Sequence, residues 1–220
     1  MKIINTLTSV IIAFAFVNAL SAAITITSGI DSDVYHYYDT PTSTVDTLGV
    51  SYGVVPFGPT AGDDHSQTSL VKFATSTWTG TVDSATLRLY SLPKTSPFGS
   101  PYASGTIDVR LQYAPWSVDT VNQAAISPSS WSVGTIDYSS DSTWYELDVT
   151  SIVQSWTGGT PNYGFVLQAG DTDVNMTFAS FETGFAPELV VTGTAVPEPS
   201  TYALILGLFT FGFLTLKRRK

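Results

Sequence analysis

The sequence predicts an all-β domain, a sandwich or a barrel, on two observations. Apolar and polar residues alternate in at least four short segments, and clusters of Gly, Pro, Ser and Asp separate these segments. Alternation with a period of two marks a strand with one buried and one solvated face. Many short strands separated by turn-forming clusters are typical of sandwiches and barrels.

The alternating segments identify four strands and the residues expected to point into the core. The inward positions are Ala85, Leu87 and Leu89; Ile107, Val109, Leu111 and Tyr113; Tyr145, Leu147 and Val149; and Val174, Met176 and Phe178. The turn-forming clusters cover residues 56–64, 93–105, 127–130 and 158–162. Polar residues between the inward positions are expected on the solvated face.

Residues 148–156 have helical rather than strand periodicity. Apolar residues recur there at three- and four-residue spacing and share one helical face: Val149, Ile152, Val153 and Trp156. Thr150 or Ser151 is a suitable N-cap near the start of the segment. We therefore expect one or two helical turns between strands.

The first 23 residues have the features of a secretory signal peptide rather than of a folded domain. Lys2 provides a positive start, residues 11–17 are the centre of an apolar stretch, and residues 21–23 are small. Small residues at positions −3 and −1 are typical of the cleavage site. The sequence therefore predicts export through the Sec translocase and cleavage after Ala23.

Residues 195–220 form a second terminal segment with three parts in fixed order. The motif at residues 196–200 contains Pro197, Glu198 and Pro199, and its prolines hold the backbone extended. Residues 202–216 are apolar and uncharged, and as a transmembrane helix they span about 22 Å of a ~30 Å hydrocarbon core. The positive-inside rule places the basic tail in the cytoplasm: Lys217, Arg218, Arg219 and Lys220.

This three-part layout resembles the PEP-CTERM sorting signal of bacteria that export proteins and make an extracellular polysaccharide. The resemblance implies that an exosortase at the inner membrane recognises Pro197, Glu198 and Pro199 and removes the tail. The apolar run and the basic tail alone fit an uncut C-terminal anchor equally well. With sorting, the protein is first an inner-membrane intermediate and then reaches the cell surface or the extracellular matrix.

Between the two terminal segments lies one acidic domain without cysteines. The exported part retains four Lys and Arg residues against 18 Asp and Glu residues, a net charge of about −14. Such a charge disfavours nucleic acid and anionic membrane surfaces as partners. Because the chain has no cysteine, the domain depends on its own core, for which its length is sufficient.

Within residues 24–194, several blocks follow the order of a known module. They are residues 69–73, 82–90, 116, 119–122, 147–156, 162–167, 178–182 and 187–191. This order resembles the DNRLRE domain, a jelly-roll module related to carbohydrate-binding modules. The resemblance implies a jelly-roll-like antiparallel β-sandwich with affinity for polysaccharide. Val118 and Phe181 replace the acidic residue and the arginine that are usual in the family, so ligand contacts there are not carried over.

The residues offer little for catalysis. His36 and His65 are the only histidines, and no serine lies in a nucleophile elbow. Glu146 and Asp148 share one face of a predicted strand about 7 Å apart, a separation that suits an inverting glycosidase. The simpler interpretation is that outward acids keep the surface soluble and discourage edge pairing, so we do not expect an enzyme.

Calcium is the one cofactor that the acidic residues suggest, since it binds carboxylate and carbonyl oxygens. Asp31 and Asp33 open the domain, and Glu182 precedes its last strand. In a jelly roll the first and last strands often lie side by side, so these three residues are the candidate calcium ligands. Further acidic candidates are Asp63, Asp64, Asp171 and Asp173.

Aromatic residues are the other candidates for ligand contact. Sugar rings stack their apolar C–H side on exposed aromatic faces, but large aromatics also fill cores. Trp116 and Trp156 fall in the family-like blocks and are expected in the core, whereas Trp144 alternates outward with Glu146 and is the candidate ligand contact. A further candidate patch consists of Tyr35, His36, Tyr37 and Tyr38.

Three functions fit these features. The first is an exported, non-catalytic module of the cell surface or exopolysaccharide matrix that binds polysaccharide. The second is an extracellular polysaccharide lyase or hydrolase, and the third is a structural matrix or adhesion protein without a soluble ligand. We expect the first, because no recognised catalytic motif stands in the sequence.

Overall fold

The computed structural model describes residues 21–27, 29–35, 40–41, 47–51, 66–93, 105–171 and 174–195. Residues 196–220 of the sorting segment and residues 1–20 of the predicted signal peptide lie outside this part of the chain, as do His36 and His65. In the residues that are described, every helix is too short or too polar to cross a bilayer.

The described chain contains twelve strands and one α-helix. In order they are β1 (Ser21–Ile26), β2 (Gly29–Tyr35), β3 (Thr40–Pro41), β4 (Thr47–Ser51), β5 (Gln67–Phe73), β6 (Gly80–Tyr90), β7 (Gly105–Leu111), β8 (Gly134–Tyr138), β9 (Trp144–Asp148), α1 (Thr150–Thr157), β10 (Phe165–Ala169), β11 (Asn175–Ala179) and β12 (Glu188–Ala195). Short 3₁₀ turns occupy Thr75–Thr77 and Gln123–Ala125.

The strands form two sheets, and every described pairing is antiparallel. The smaller sheet has the order β1-β12-β6-β9. The larger sheet has the order β11-β4-β5-β10-β7-β8, with β2 pairing β5 and β3 pairing β2. Apolar side chains from both sheets pack into one core, so the domain is an all-β sandwich.

The inward positions read from the alternation are largely confirmed. Leu87 and Leu89 of β6, Val109 of β7 and Phe178 of β11 are all buried in the shared core. The prediction that Tyr113 points into the core is wrong. β7 ends at Leu111, and the tyrosine lies two residues beyond it with 54% of its surface exposed.

The predicted helix is present as α1, and Ile152, Val153 and Trp156 are buried on its inner face. Its start differs from the expectation, since no side chain of the N-cap residue Val149 closes the first turn. Instead, the N–H of Thr150 donates to the Asp148 carboxylate at the end of β9 (2.9 Å). The strand before the helix thus supplies the acceptor that a capping serine or threonine was expected to provide.

Candidate functional site

The outer face of the smaller sheet presents its polar and aromatic side chains in cross-strand rows. The register sets Tyr90 of β6 opposite Trp144 of β9. One row along, Arg88 stands opposite Glu146 on one side and Glu188 of β12 on the other. These residues alternate with buried leucines along β6, so the sandwich core fixes their outward orientation.

Tyr90 contacts two other rings on this face, and we call Tyr90, Trp144 and Phe185 the aromatic platform. Tyr90 and Phe185 are stacked, with ring centroids 4.2 Å apart and planes inclined by 11°. Trp144 meets Tyr90 edge to face, with centroids 5.3 Å apart. Phe185 keeps 48% of its surface exposed, so the platform offers an apolar ring surface to solvent.

Arg88 connects the platform to the acidic residues beside it. Its Nε donates to Glu146 Oε1 at 2.9 Å, and its Nη1 donates to Glu188 Oε2. Its guanidinium carbon lies 4.6 Å from the centre of the Trp144 ring, within cation–π range. The guanidinium therefore holds Trp144 in place and is itself neutralised by two carboxylates.

The structure places Trp144 on the outer face, as its alternation with Glu146 predicts, and its side chain is half-buried. Ligand contact by Trp144 stays a prediction. Trp156 is confirmed as a core residue, packing 5.2 Å from the Phe165 ring centre. Trp116, also expected in the core, is only partly buried and packs against a second, smaller cluster formed by Val34, Leu70 and Val121.

Asp148, one of the acidic pair considered for glycoside hydrolysis, does not have the environment of a general acid. Asp148 accepts hydrogen bonds from the Oγ1 and N–H of Thr150, which lower the pKa of its carboxyl group. Glu146 is bound to Arg88. A general acid for glycoside cleavage needs a raised pKa, and the surroundings of Asp148 act in the opposite direction.

The candidate calcium ligands Asp31 and Asp33 lie on β2 and are buried, with 7% and 3% of their surfaces exposed. Their register opposite Val71 and Ser69 of β5 turns them toward the sandwich interior. Asp31 accepts a hydrogen bond from the N–H of Phe181 (2.8 Å), and Asp33 accepts one from the N–H of Gly49 (3.3 Å).

The route by which these acids were expected to approach Glu182 is corrected. The first and last strands, β1 and β12, do lie side by side in the smaller sheet. The acids, however, belong to β2, which pairs β3 and β5 in the larger sheet. Asp31 nevertheless comes close to Glu182, because it binds the backbone of the preceding Phe181.

Burial raises the pKa of both aspartates. The pKa of the Asp31 carboxyl rises to about 7 through burial, against the Phe181 N–H, which lowers it, and with the negative charges of Glu182 and Asp33 adding to the rise. Burial raises the pKa of Asp33 to about 6, opposed by the Gly49 N–H. Asp31 therefore titrates near neutral pH.

Nowhere in the described part of the chain do three acidic or histidine side chains gather closely enough to hold a metal ion. The calcium site at Asp31, Asp33 and Glu182 stays a prediction. Asp63, Asp64 and Asp173 lie outside the described residues, as do the side chains of residues 35–38. Asp171 accepts a hydrogen bond from the N–H of Thr106 (3.0 Å).

Sequence reasoning missed two members of the platform. Tyr90 occupies an outward position of a strand that the alternation identified. Its position on the outer face could therefore be predicted, but the rings that it contacts could not. Phe185 is the last residue of the turn at residues 181–185 and belongs to no alternating segment. Only the folded chain shows that this loop brings Phe185 onto Tyr90.

One comparison with known proteins identifies the domain. The family model described as "Carbohydrate-binding module family 96" matches residues 22–193, most of the chain and nearly all of the two sheets. A search of curated proteins found no match.

Proposed function

We propose a non-catalytic polysaccharide-binding function for this chain, which belongs to carbohydrate-binding module family 96. The ligand would lie along the outer face of the smaller sheet, on the aromatic platform formed by Tyr90, Trp144 and Phe185. The observation that carries this assignment is the stacking of the exposed Phe185 ring on Tyr90, with Trp144 beside it.

The platform suits a sugar chain for a physical reason. Pyranose rings have one face of C–H groups, which packs on an aromatic π surface, while their hydroxyl groups remain available for polar contacts. Glu146 keeps 58% of its side chain exposed, next to the rings, so its carboxylate is open to hydroxyl donors. Apolar rings and open acceptors therefore lie together on one sheet face.

The charge of this face favours a neutral polysaccharide over an anionic one. Among the described residues of the face, Arg88 is the one cation, and two glutamates already bind its guanidinium. The exported part as a whole carries a net charge of about −14. An anionic chain would meet repulsion from the domain and find no uncompensated cation on the described part of the platform face.

Affinity electrophoresis of the full chain, in gels containing a neutral or an anionic polysaccharide, tests this proposal. A detergent without a sugar headgroup keeps the chain soluble and does not compete for the site. We expect retardation in neutral gels and its loss in Trp144→Ala. The matched control is Trp131→Ala, which removes a tryptophan that is 46% exposed and makes no contact with the platform rings. If Trp131→Ala abolishes retardation and Trp144→Ala does not, the platform is not the site.

The proposal includes export and exosortase processing. Its support is the tripartite segment at residues 195–220 and the Pro197-Glu198-Pro199 motif within it. The last strand, β12, ends at Ala195, two residues before Pro197, so the motif directly follows the folded domain. The final location would be the cell surface or the extracellular matrix.

The position of the first cut has a structural consequence. Ala23 pairs with Thr192 in the β1–β12 ladder, so cleavage after Ala23 would remove the first half of β1. A cut upstream of Ser21 would keep the whole strand. Mass spectrometry of the exported protein locates both ends, and the intact chain recovered from the cytosol would contradict the export proposal.

A further inference from the structure

A cavity of about 420 Å³ opens at the other end of β6, between the 3₁₀ turn after β5 and the end of α1. Gly80, the first residue of β6, lines it, whereas the platform residue Tyr90 is the last residue of the same strand. The two ends of β6 are about 33 Å apart at ordinary strand rise. The cavity is therefore separate from the platform.

We propose that this cavity is a second carbohydrate site, which binds one or two neutral pyranose rings, such as the end of a neutral glycan chain. Its volume lies at the lower end of the range of small-ligand pockets, about 300–1,000 Å³. The proposal does not depend on the platform, since it rests on the residues that line the cavity.

The lining combines two indole rings with uncharged polar groups. Trp78 and Trp156 are both buried and contribute a small apolar surface, and Thr75, Thr79, Thr157 and Asn162 are among the polar residues around them. The described lining contains no acidic or basic side chain. Hydroxyl and amide groups beside aromatic rings match a neutral sugar, which offers C–H faces and hydroxyl groups but no charge.

Trp78 provides the second observation. Its side chain is buried, with 8% of its surface exposed, and its Nε1 donates to no acceptor among the described residues. A buried donor without an acceptor is costly, so a bound molecule would be stabilised if its oxygen reached Nε1 when the indole turned toward the cavity. A sugar oxygen is such an acceptor.

The cavity wall is held in place by the fold. The Nδ2 of Asn162 donates to the Phe73 carbonyl and to Thr75 Oγ1, both at 3.1 Å, which fixes the turn after β5 to the segment before β10. Behind Trp78, a Cβ at Gly193 would approach Thr81 O to 1.9 Å and the indole to 3.1 Å. The glycine at this bulge of β12 therefore leaves room for Trp78.

The test is isothermal titration calorimetry of the full chain with cellobiose, maltose and lactose, in a detergent without a sugar headgroup. We expect at least one of these neutral disaccharides to bind with a millimolar or tighter dissociation constant. Thr157→Arg places a long side chain at the exposed rim and is expected to weaken binding by about tenfold or more. The matched control Ser151→Arg lies on the same helix but outside the cavity and should bind as the wild type does.

Two further variants sharpen the result. Trp78→Phe removes the Nε1–H group but keeps a ring and should weaken binding severalfold, with a melting curve to verify that the variant folds. Trp144→Ala should leave disaccharide binding unchanged, which separates this site from the platform. The proposal is overturned if none of the three sugars binds at tens of millimolar, or if Thr157→Arg binds as tightly as Ser151→Arg.

Discussion

The acidic residues of the two sheets lie in opposite environments, on the outer face beside a cation in one sheet and buried in the other. On the smaller sheet, Glu146 and Glu188 lie on the outer face and bind the guanidinium of Arg88. On the larger sheet, Asp31 and Asp33 of β2 point inward, are buried, and accept backbone N–H groups. The outer acids have a cation beside them, whereas burial raises the pKa of the two inner carboxyl groups.

This difference indicates which sheet is suited to ligand binding and which is sensitive to pH. The face with a compensated charge also carries the aromatic platform, so a neutral chain can lie on it without burying an uncompensated ion. The inner carboxylates are out of reach of a polymer on that face, and their effect falls on the stability of the fold.

The largest expected effect is on the pH dependence of stability. The pKa of Asp31 is about 7 in the folded domain, above its ordinary value of 3.8, so the unfolded chain releases its proton first. The contribution of Asp31 to stability is therefore highest below about pH 4, falls as the pH rises to about 7, and is constant above that. The rise in pKa corresponds to a loss on the order of 4 kcal/mol.

Asp31→Asn removes this titration and can still accept the Phe181 N–H through its amide oxygen. We expect the variant to be more stable than the wild type at pH 8 and about equal to it at pH 4, measured by urea unfolding. If Asp31→Asn has the same stability relative to the wild type at pH 8 as at pH 4, the fold does not raise the pKa of Asp31.

The same measurement with calcium or a chelator addresses the predicted calcium site. Calcium requires ionised carboxylates, so a bound ion would raise the melting temperature at pH 8 and much less at pH 5. The rise should disappear in Asp31→Asn. If the melting temperature is unchanged by either addition, the calcium prediction is wrong and burial alone governs the two aspartates.

A smaller effect is expected from Arg88→Ala on the other sheet. The variant loses two ion pairs and the cation–π contact with Trp144 and leaves Glu146 and Glu188 without their cation. We expect a loss of about 1–2 kcal/mol in unfolding free energy, because these groups are only partly exposed. Arg88→Lys, which keeps the charge but loses the two-pronged contact, should recover only part of this loss.

The Arg88→Ala deficit should also shrink in high salt, because mobile ions screen the two glutamates. If the loss in unfolding free energy is the same at low and high salt, packing rather than charge is the main contribution of Arg88 between Glu146 and Glu188.

Much of the fold could be predicted from the sequence, because alternation reports directly which side of a strand is buried. Leu87 and Leu89 are examples, as are the helical residues Ile152 and Trp156. The inward direction of Asp31 could not be predicted in this way, since acidic residues in an alternating pattern are normally assigned to the solvated face.

The candidate site was less accessible to prediction than the fold. Trp144 was found because it stands in a strand next to Glu146. Phe185 was not, because a loop carries it to Tyr90 and no local pattern encodes a contact between residues 95 positions apart. The cavity next to Trp78 is likewise assembled from two distant segments, residues 75–80 and 156–162.

The most direct test of the platform compares Phe185→Ala with Tyr113→Ala by affinity electrophoresis of the full chain in a neutral-polysaccharide gel. The two rings are similarly exposed, at 48% and 54%, but only Phe185 stacks on Tyr90. We predict that Phe185→Ala migrates as it does without polysaccharide, while Tyr113→Ala is retarded like the wild type. Equal retardation of both variants and the wild type would contradict binding on the outer face of the smaller sheet.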